Sequence, residues 1–450
     1  MDVAGKRVTV MGLGRHGGGV AVSRWLAEAG AIVTISDRAD AATLADSLLH
    51  LEGVPIAALH LGEHRADDFR AAEVVVVNPA VKFDNELVQI ARQAGAAITS
   101  EIELFLERCP AITIGVTGSN GKSTTAAMIA AILETDGRRT WLGGNIGRSL
   151  LPDLKSMTAT DRVVLELSSF QLAWMSDRWP RLFIGVLTSF SPNHLDWHGT
   201  LAHYAASKFR LLSNVRRDGV VVADTTDRAV SSLFDELDEN GRVRMRLVQP
   251  ERREKLPMLR VPGDHNRRNA ALAALAARCA GCDDAAIPRG LGGFTGLPHR
   301  LELVAKVVGR EFYNDSMATT PESAAAALAT FSGRVWLLAG GHDKGGDMEQ
   351  LGPALARHAC GAAFYGAARE KLHSIAVEHA PRTPLHAIER MDEAFGWCME
   401  QSRDGDVVVL SPACASYDQF RDYRHRGEHF AALVHALRAA TRSSHNDSRR

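Results

Sequence analysis

Lys122 and Ser123 stand where a chain that binds a nucleoside triphosphate places a cation and a hydroxyl. They belong to the stretch ITIGVTGSNGKSTT at 112–125. There an apolar run reads as a buried strand, Gly118-Ser119-Asn120-Gly121 as a glycine-rich turn, and the residues from Thr124 onward as a helix. A strand, such a turn and a helix start make a phosphate cradle, because the turn and the helix N-terminus aim backbone N–H groups at one spot and favour negative charge there. Gly118, Ser119, Asn120, Gly121, Lys122, Ser123 and Thr124 are the candidate phosphate contacts; Lys122 adds a full positive charge and Ser123 offers a hydroxyl to Mg²⁺. The pattern is a variant of G-x-x-x-x-G-K-[ST], since Val116 stands where the first glycine belongs. A glycine-rich turn that serves only packing is the competing reading.

Other residues could complete such a site. Glu166 closes the apolar run 163–167 and could hold a Mg²⁺ that bridges phosphates, although a lone glutamate at a strand end is more often structural. A strand at 184–187 runs into a polar loop with Asn193, His194, Asp196 and His198, followed by a helix with Lys208. Near the start, Gly12-Leu-Gly14-Arg15-His16-Gly17 is a full G-x-G-x-x-G after a strand and before a helix, and Asp37 with Arg38 closes the next strand. Taken alone this pattern predicts NAD; a nucleotide sugar, with its diphosphate at the helix N-terminus and a hydroxyl near Asp37, meets the same requirement.

These residues need a scaffold, and the chain supplies one. Strand-like segments at 7–11, 32–36, 74–77, 112–116, 163–167, 184–187, 219–223, 335–339 and 407–410 alternate with helix-like segments at 20–29, 85–94, 124–133, 269–277, 321–330, 368–377 and 428–440. Such alternation predicts an α/β protein with parallel sheets and helices on both faces. Three blocks suggest themselves: a Rossmann-like block at 1–108, a P-loop ATPase-like block at 109–299, and a Rossmann-like α/β block at 300–450. The polar residues 443–450 read as a frayed end. With 450 residues, 46% hydrophobic and 23% charged, the composition is that of an ordinary soluble globular chain. A formal net charge of -1 gives no basic field for nucleic acid, and no apolar run approaches the ~20 residues of a membrane helix. No signal peptide is visible, so the expected compartment is the cytoplasm. The six cysteines are scattered; Cys279-x-x-Cys282 lacks a second pair and reads as buried free thiols.

The set Gly118-Ser-Asn-Gly-Lys122-Ser, Leu165-Glu166-Leu-Ser-Ser-Phe-Gln171 and Asn193-His194-Leu-Asp196 resembles the Mur ligases and folylpolyglutamate synthases. Gly296-Leu-Pro-His-Arg300, Asn314-Asp315-Ser316, Gly340-Gly341-His-Asp-Lys344 and Ser411-Pro-Ala-Cys-Ala-Ser416-Tyr-Asp-Gln-Phe420 resemble the branch that joins D-glutamate to UDP-N-acetylmuramoyl-L-alanine. The likeness runs from Gly12 to about Gly427. It implies three domains, for the UDP substrate, ATP and the amino acid, and a reaction through an acyl phosphate. It implies a UDP-substrate site at Gly14, Arg15, His16, Asp37, Arg38 and Asn145, and further ATP contacts at Asn269, Arg300 and Asp315. It implies a glutamate site at Thr319, Lys344, Ser416 and Tyr423. Lys122, His194 and Lys208 take the catalytic positions, and two Mg²⁺ ions are expected on Ser123, Glu166, His194 and a carbamylated Lys208. The expected state is a monomer with a hinge near 298–302. Asn269 could instead cap a helix, and Gly143-Gly144 before Asn145 could be only a turn.

This chain departs from the family pattern at Met317, where many relatives have Lys, and at Asn193, where many have Asp. The first opens the choice between D-glutamate, L-glutamate and another amino acid; the second removes a charge beside the metal-ligand histidine. Two other classes compete. An NAD-binding oxidoreductase would use Gly12–Gly17 and Asp37 but leaves Lys122, Glu166 and His194 without a task. A nucleotide-dependent regulatory module would bind without turnover.

Overall fold

The computed structural model describes residues 1–15, 17–176, 181–237, 245–247, 256–343, 345 and 347–447. It falls into two compact units, one of Met1–Met258 with Arg267–Gly293 and one of Leu259–Asn266 with Phe294–Arg450.

The first unit carries two sheets. One has β1 (Arg7–Met11), β2 (Ile32–Asp37), β3 (Ala58–Leu61), β4 (Val74–Val77) and β5 (Ala97–Thr99) in the order β3-β2-β1-β4-β5. All its pairs are parallel. Every residue of the Val-Val-Val-Val run in β4 is buried, as a strand covered by helices on both faces requires. The order reverses between β1 and β4, which opens a ligand crevice at their carboxyl ends.

The second sheet has β6 (Ile112–Thr117), β7 (Thr140–Gly144), β8 (Arg162–Glu166), β9 (Leu182–Leu187), β10 (Val215–Ala223) and β11 (Met245–Leu247) in the order β11-β10-β9-β6-β8-β7. It too is parallel throughout. Strand β6 lies between β8 and β9, so the turn after it is flanked by Glu166 on one side and Thr188 on the other. The helix that leaves this turn, Lys122–Thr135, is buried over most of its length.

The second unit holds β12 (Glu302–Val307), β13 (Arg310–Asn314), β14 (Val335–Gly340), β15 (Ala359–Tyr365), β16 (Leu385–Ala387) and β17 (Val407–Ala413), ordered β12-β13-β17-β14-β15-β16. Only β12 runs antiparallel; Val308 and Gly309, with φ 48° and 65°, make its two-residue turn into β13. The loops after β13, β14 and β17 share one edge of this sheet.

The expected α/β class and its N-terminal, central and C-terminal sheets are thus what the chain forms. Two details differ. The helix expected from Asn269 begins at Asp264, because polar residues of DHNRRN make its first turns without an apolar stripe. The last helix, Tyr423–Asp447, takes in most of the tail expected to fray. No helix among the described residues is long and apolar enough to cross a membrane.

Candidate active site

At the carboxyl end of β2, Asp37 turns back onto the glycine-rich turn that follows β1, where its Oδ2 accepts the Gly14 N–H at 2.9 Å and its Oδ1 accepts that of Ala39 at 2.8 Å. The carboxylate therefore shapes the turn as well as facing the crevice. Arg15 and Arg38 are exposed at its rim. His16 lies outside the described residues. Asn78, which carries no motif signal, closes the crevice from β4: its N–H donates to Met11 O at 3.0 Å and its Nδ2 to Gly12 O at 3.4 Å. His64 joins it, with Nδ1 2.8 Å from Ser36 Oγ; burial, then the nearby Arg38, lowers the pKa of this imidazole.

The turn Gly118–Gly121 is pinned by the loop after β9. Ser119 N donates to Ser189 O and Asn120 N donates to Ser189 Oγ, both at 2.9 Å, while Thr188 Oγ1 donates to Thr117 O at 3.1 Å. Gly118 has φ 149°, and a Cβ there would lie 2.0 Å from Thr188 Oγ1, so only glycine fits. Lys122 opens the helix and curls over the turn, with Nζ 3.0 Å from Gly118 O and 2.9 Å from Ser119 O. Ser123 is buried beneath it and Thr124 half-buried. Asn269 reaches the cradle from its helix: a Cβ on Gly121 would lie 2.4 Å from Asn269 Oδ1. It stands beyond the first turn of that helix, so it does not cap it.

Lys208 comes to the same turn from the helix Leu201–Ser213, and its Nζ donates to Gly118 O at 2.7 Å. Two lysines thus share one carbonyl oxygen. Lys208 is only 2% exposed, and its Nζ lies 4.7 Å above the Tyr204 ring. Burial first, and the Lys122 charge second, push the Lys208 amine well below the ordinary lysine range, with Glu166 opposing. Tyr204 ties the arrangement down, its hydroxyl 2.9 Å from Ser119 Oγ.

Glu166, at the end of β8, is 2% exposed. Its Oε1 accepts Asn145 Nδ2 at 2.8 Å, and its Oε2 is buried with no hydrogen-bond partner. His194 is exposed and takes a left-handed conformation, φ 55°, at the start of the turn Leu195–His198. Its ring packs on Phe170 at 4.8 Å. The Asn193 Oδ1 accepts the His194 N–H at 2.8 Å. Burial, then His203, lowers His198 to about 4, a neutral imidazole 3.0 Å from Ser169 Oγ.

In the second unit, Asp315 follows β13 and is buried, accepting Ser411 Oγ at 2.8 Å and Leu301 N at 3.2 Å. Burial raises it to about 7 against the pull of these bonds and of Arg300. Thr319 is half-buried on the same loop; Met317 is 36% exposed, and its N–H donates to His299 O. Ser416 is buried after β17, and Tyr423 O accepts Ser316 Oγ at 2.7 Å. Lys344 lies outside the described residues.

One further residue organises these loops. Arg426 is fully buried and donates to Ser316 O at 2.8 Å, Ser316 Oγ at 3.0 Å, Cys414 O at 3.1 Å, Ala415 O at 3.2 Å and Gly340 O at 3.4 Å. It ties together the ends of β13, β14 and β17, and no local pattern announces it.

Three family models match the chain: Mur ligase MurD-like, N-terminal domain over residues 6–100, Mur ligase middle domain over 116–252, and Mur ligase, glutamate ligase domain over 299–414. The UDP-N-acetylmuramoylalanine--D-glutamate ligase of Geobacter metallireducens is 36% identical, covering 97% of this chain and 99% of that one. The chain belongs to the Mur ligase family. The enzyme of the same name from Roseiflexus sp. is 37% identical over 97% of this chain and 100% of its own. In fold, this Mur ligase is similar to the UDP-N-acetylmuramate-alanine ligase MurC of Thermotoga maritima, with TM-score 0.60, 18% identity, and 96% and 99% of the two chains covered. The MurF ligase of that organism, in complex with ADP, gives TM-score 0.56 at 15% identity over 83% of this chain and 97% of that one.

The residues present suit the Mg²⁺ that the family implies. An oxygen-seeking cation needs carboxylate and hydroxyl donors, and the buried, unpartnered Glu166 Oε2 is such a donor near the Ser123 end of the cradle helix. An unpaired buried carboxylate oxygen is costly to keep, so its persistence here suits a cation partner.

Proposed function

We propose that this Mur ligase joins D-glutamate to UDP-N-acetylmuramoyl-L-alanine at the expense of ATP. The observation that carries the reading is likeness to D-glutamate ligases over 97% of the chain. The buried Lys122–Lys208–Glu166 cluster at one phosphate cradle agrees with it. The domain assignment is 1–108 for the UDP substrate, 109–299 for ATP and 300–450 for the amino acid, and the enzyme acts as a cytoplasmic monomer.

A carboxylate is a poor electrophile. The alanyl carboxylate oxygen takes the γ-phosphoryl group of ATP, ADP leaves, and the acyl phosphate presents a carbonyl with a good leaving group. The D-glutamate amine then attacks that carbonyl, loses a proton, and inorganic phosphate departs with the C–O electron pair. In the first step two anions must meet, so the residues around them must bring positive charge and N–H donors. The turn amides and Lys122 hold the phosphates; Asn269, Arg300 and Asp315 serve the nucleotide. Gly14, Arg15, His16, Asp37, Arg38 and Asn145 hold the UDP substrate. Thr319, Lys344, Ser416 and Tyr423 hold glutamate. Ser123 and Glu166 would hold one Mg²⁺, and His194 and Lys208 a second; such ions would supply neutralisation of phosphate charge.

Lys208 serves as a carbamate. A buried amine whose pKa is pushed down beside another lysine gives up its proton more readily and is then nucleophilic: its nitrogen forms a bond to the carbon of CO₂, and a proton leaves to solvent. The product has two oxygens and a negative charge beside Lys122, whereas an ammonium there is repelled.

The test is phosphate release with Mg-ATP and UDP-N-acetylmuramoyl-L-alanine, comparing D-glutamate, L-glutamate and no amino acid. Release that needs D-glutamate is expected. Release with L-glutamate alone would leave the chemistry standing and point to Met317 as the residue that alters selection. Release with neither would remove the glutamate ligase.

A further inference from the structure

His194 carries a β-carbon in left-handed backbone, a conformation kept only where the surroundings hold it. The restraint comes from its own turn, with Trp197 N and His198 N donating to His194 O at 3.1 Å and 3.0 Å. It comes also from one ring: Phe170 packs on His194 at 4.8 Å, on Trp197 at 5.0 Å and on His198 at 5.6 Å.

Trp197 faces outward from this turn as well. Its Nε1 donates to Ala80 O at 3.1 Å, and beside it Lys82 Nζ donates to Asp196 O at 3.2 Å. Trp174 Nε1 donates to the next carbonyl, Val81 O, at 3.1 Å, and its ring meets Phe83 at 5.2 Å. Residues 80–83 form the loop that follows β4. The same loop begins at Asn78, whose side chain closes the crevice at Gly12 and accepts the Ala80 N–H at 3.0 Å. A short, bonded path therefore runs from the glycine-rich turn of the first sheet through Asn78 and Ala80 to Trp197 and His194.

We propose that Trp197 is a positioning residue that clamps the His194 turn to the crevice loop, so that filling the crevice with the UDP substrate steadies His194. The inference rests on the assignment of that crevice to the UDP substrate. It concerns the placement of His194 before any nucleotide arrives. A phenyl ring at 197 would keep the contact with Phe170 and lose only the donor to Ala80, which separates clamping from packing.

Hydrogen exchange of the full chain, with and without UDP-N-acetylmuramoyl-L-alanine and without nucleotide or metal, tests this. In the native protein the ligand should slow exchange in the Gly12–Gly17 segment and in 194–199, the latter by roughly 3- to 10-fold, the factor one net hydrogen bond is worth. Trp197→Phe should keep the slowing at Gly12–Gly17 and lose that at 194–199. Lys82→Met, at an exposed residue that leaves the core intact, should lose part of it. Equal slowing at 194–199 in native protein and Trp197→Phe would overturn the clamp, as would a native protein that responds at Gly12–Gly17 alone. No response at Gly12–Gly17 would instead overturn the crevice assignment, and the clamp with it.

Discussion

Arg426 offers the sharpest test of how the loops proposed to bind the amino acid are held. Replacing it with Met keeps much of the volume and deletes five donor contacts in a fully buried place. Ala415 O retains the His342 N–H at 2.8 Å, so the loss falls mainly on Ser316 O, Ser316 Oγ and Cys414 O. A buried acceptor stripped of its partner costs about 1–3 kcal/mol, and removal of the guanidinium returns part of its own desolvation cost. The net destabilisation expected is therefore about 3–5 kcal/mol. For a unit of this size that lowers Tm by roughly 6 to 20 °C. The loop ends that Arg426 joins carry Thr319 and Ser416, whereas none of its bonds reaches the first unit. KM for D-glutamate should rise about tenfold or more with KM for UDP-N-acetylmuramoyl-L-alanine unchanged. Arg426→Lys should recover little, because one ammonium cannot span carbonyls that a planar fork reaches together. Thermal unfolding with steady-state phosphate release reads both effects. An Arg426→Met protein with native Tm and native KM for D-glutamate would refute the reasoning.

Other perturbations follow from the first-unit cluster and from Asp315. Gly118→Ala places a Cβ 2.0 Å from Thr188 Oγ1 at φ 149°, and should weaken nucleotide binding by about tenfold or more in calorimetry. Lys208→Ala should lower activity by roughly 100-fold, with short carboxylic acids restoring part of it and the ¹³C-carbamate signal of native protein in labelled bicarbonate disappearing; absence of both rescue and native signal would exclude the carbamate. Asp315 holds its proton up to about 7 when folded, whereas an unfolded aspartate, with its ordinary value of 3.8, has lost it by then. Its contribution is therefore fully present below the unfolded value and is lost as pH rises through about 7, so native Tm should fall across that window and Asp315→Asn should flatten the fall.

Much of this was legible in the chain because the relevant signals are local. Strand β4 is an unbroken β-branched run and β6 one interrupted only at Gly115; Lys122 lies just beyond the turn after β6, and Glu166 ends β8. Where the signal is weak, the reading stops. Strand β15, ACGAAFY, has no β-branched residue, and β7 ends in Gly-Gly; both are strands because neighbours supply the ladder. Residues that act across long separations were equally hidden. Tyr204 meets Ser119 across 85 positions and Arg426 meets Ser316 across 110, so neither falls within a window that periodicity or a motif can sample. The helix expected to begin at Asn269 shows the same limit, since its true start at Asp264 lies in polar sequence.

The cluster around Gly118 explains why one buried amine can serve a site built for anions. Lys122 and Lys208 both bond Gly118 O, and in a low-dielectric place two ammonium groups that close would repel strongly. That repulsion, after burial, is the second cause that pushes the Lys208 amine well below the ordinary lysine range. Lys208 is the more deeply buried of the two and lies over the Tyr204 ring. Lys122 is the first residue of its helix and only half-buried. Burial therefore sets two chemically identical side chains apart around one shared carbonyl, and the proposed function uses that difference by giving Lys122 to the nucleotide and Lys208 to carbon dioxide.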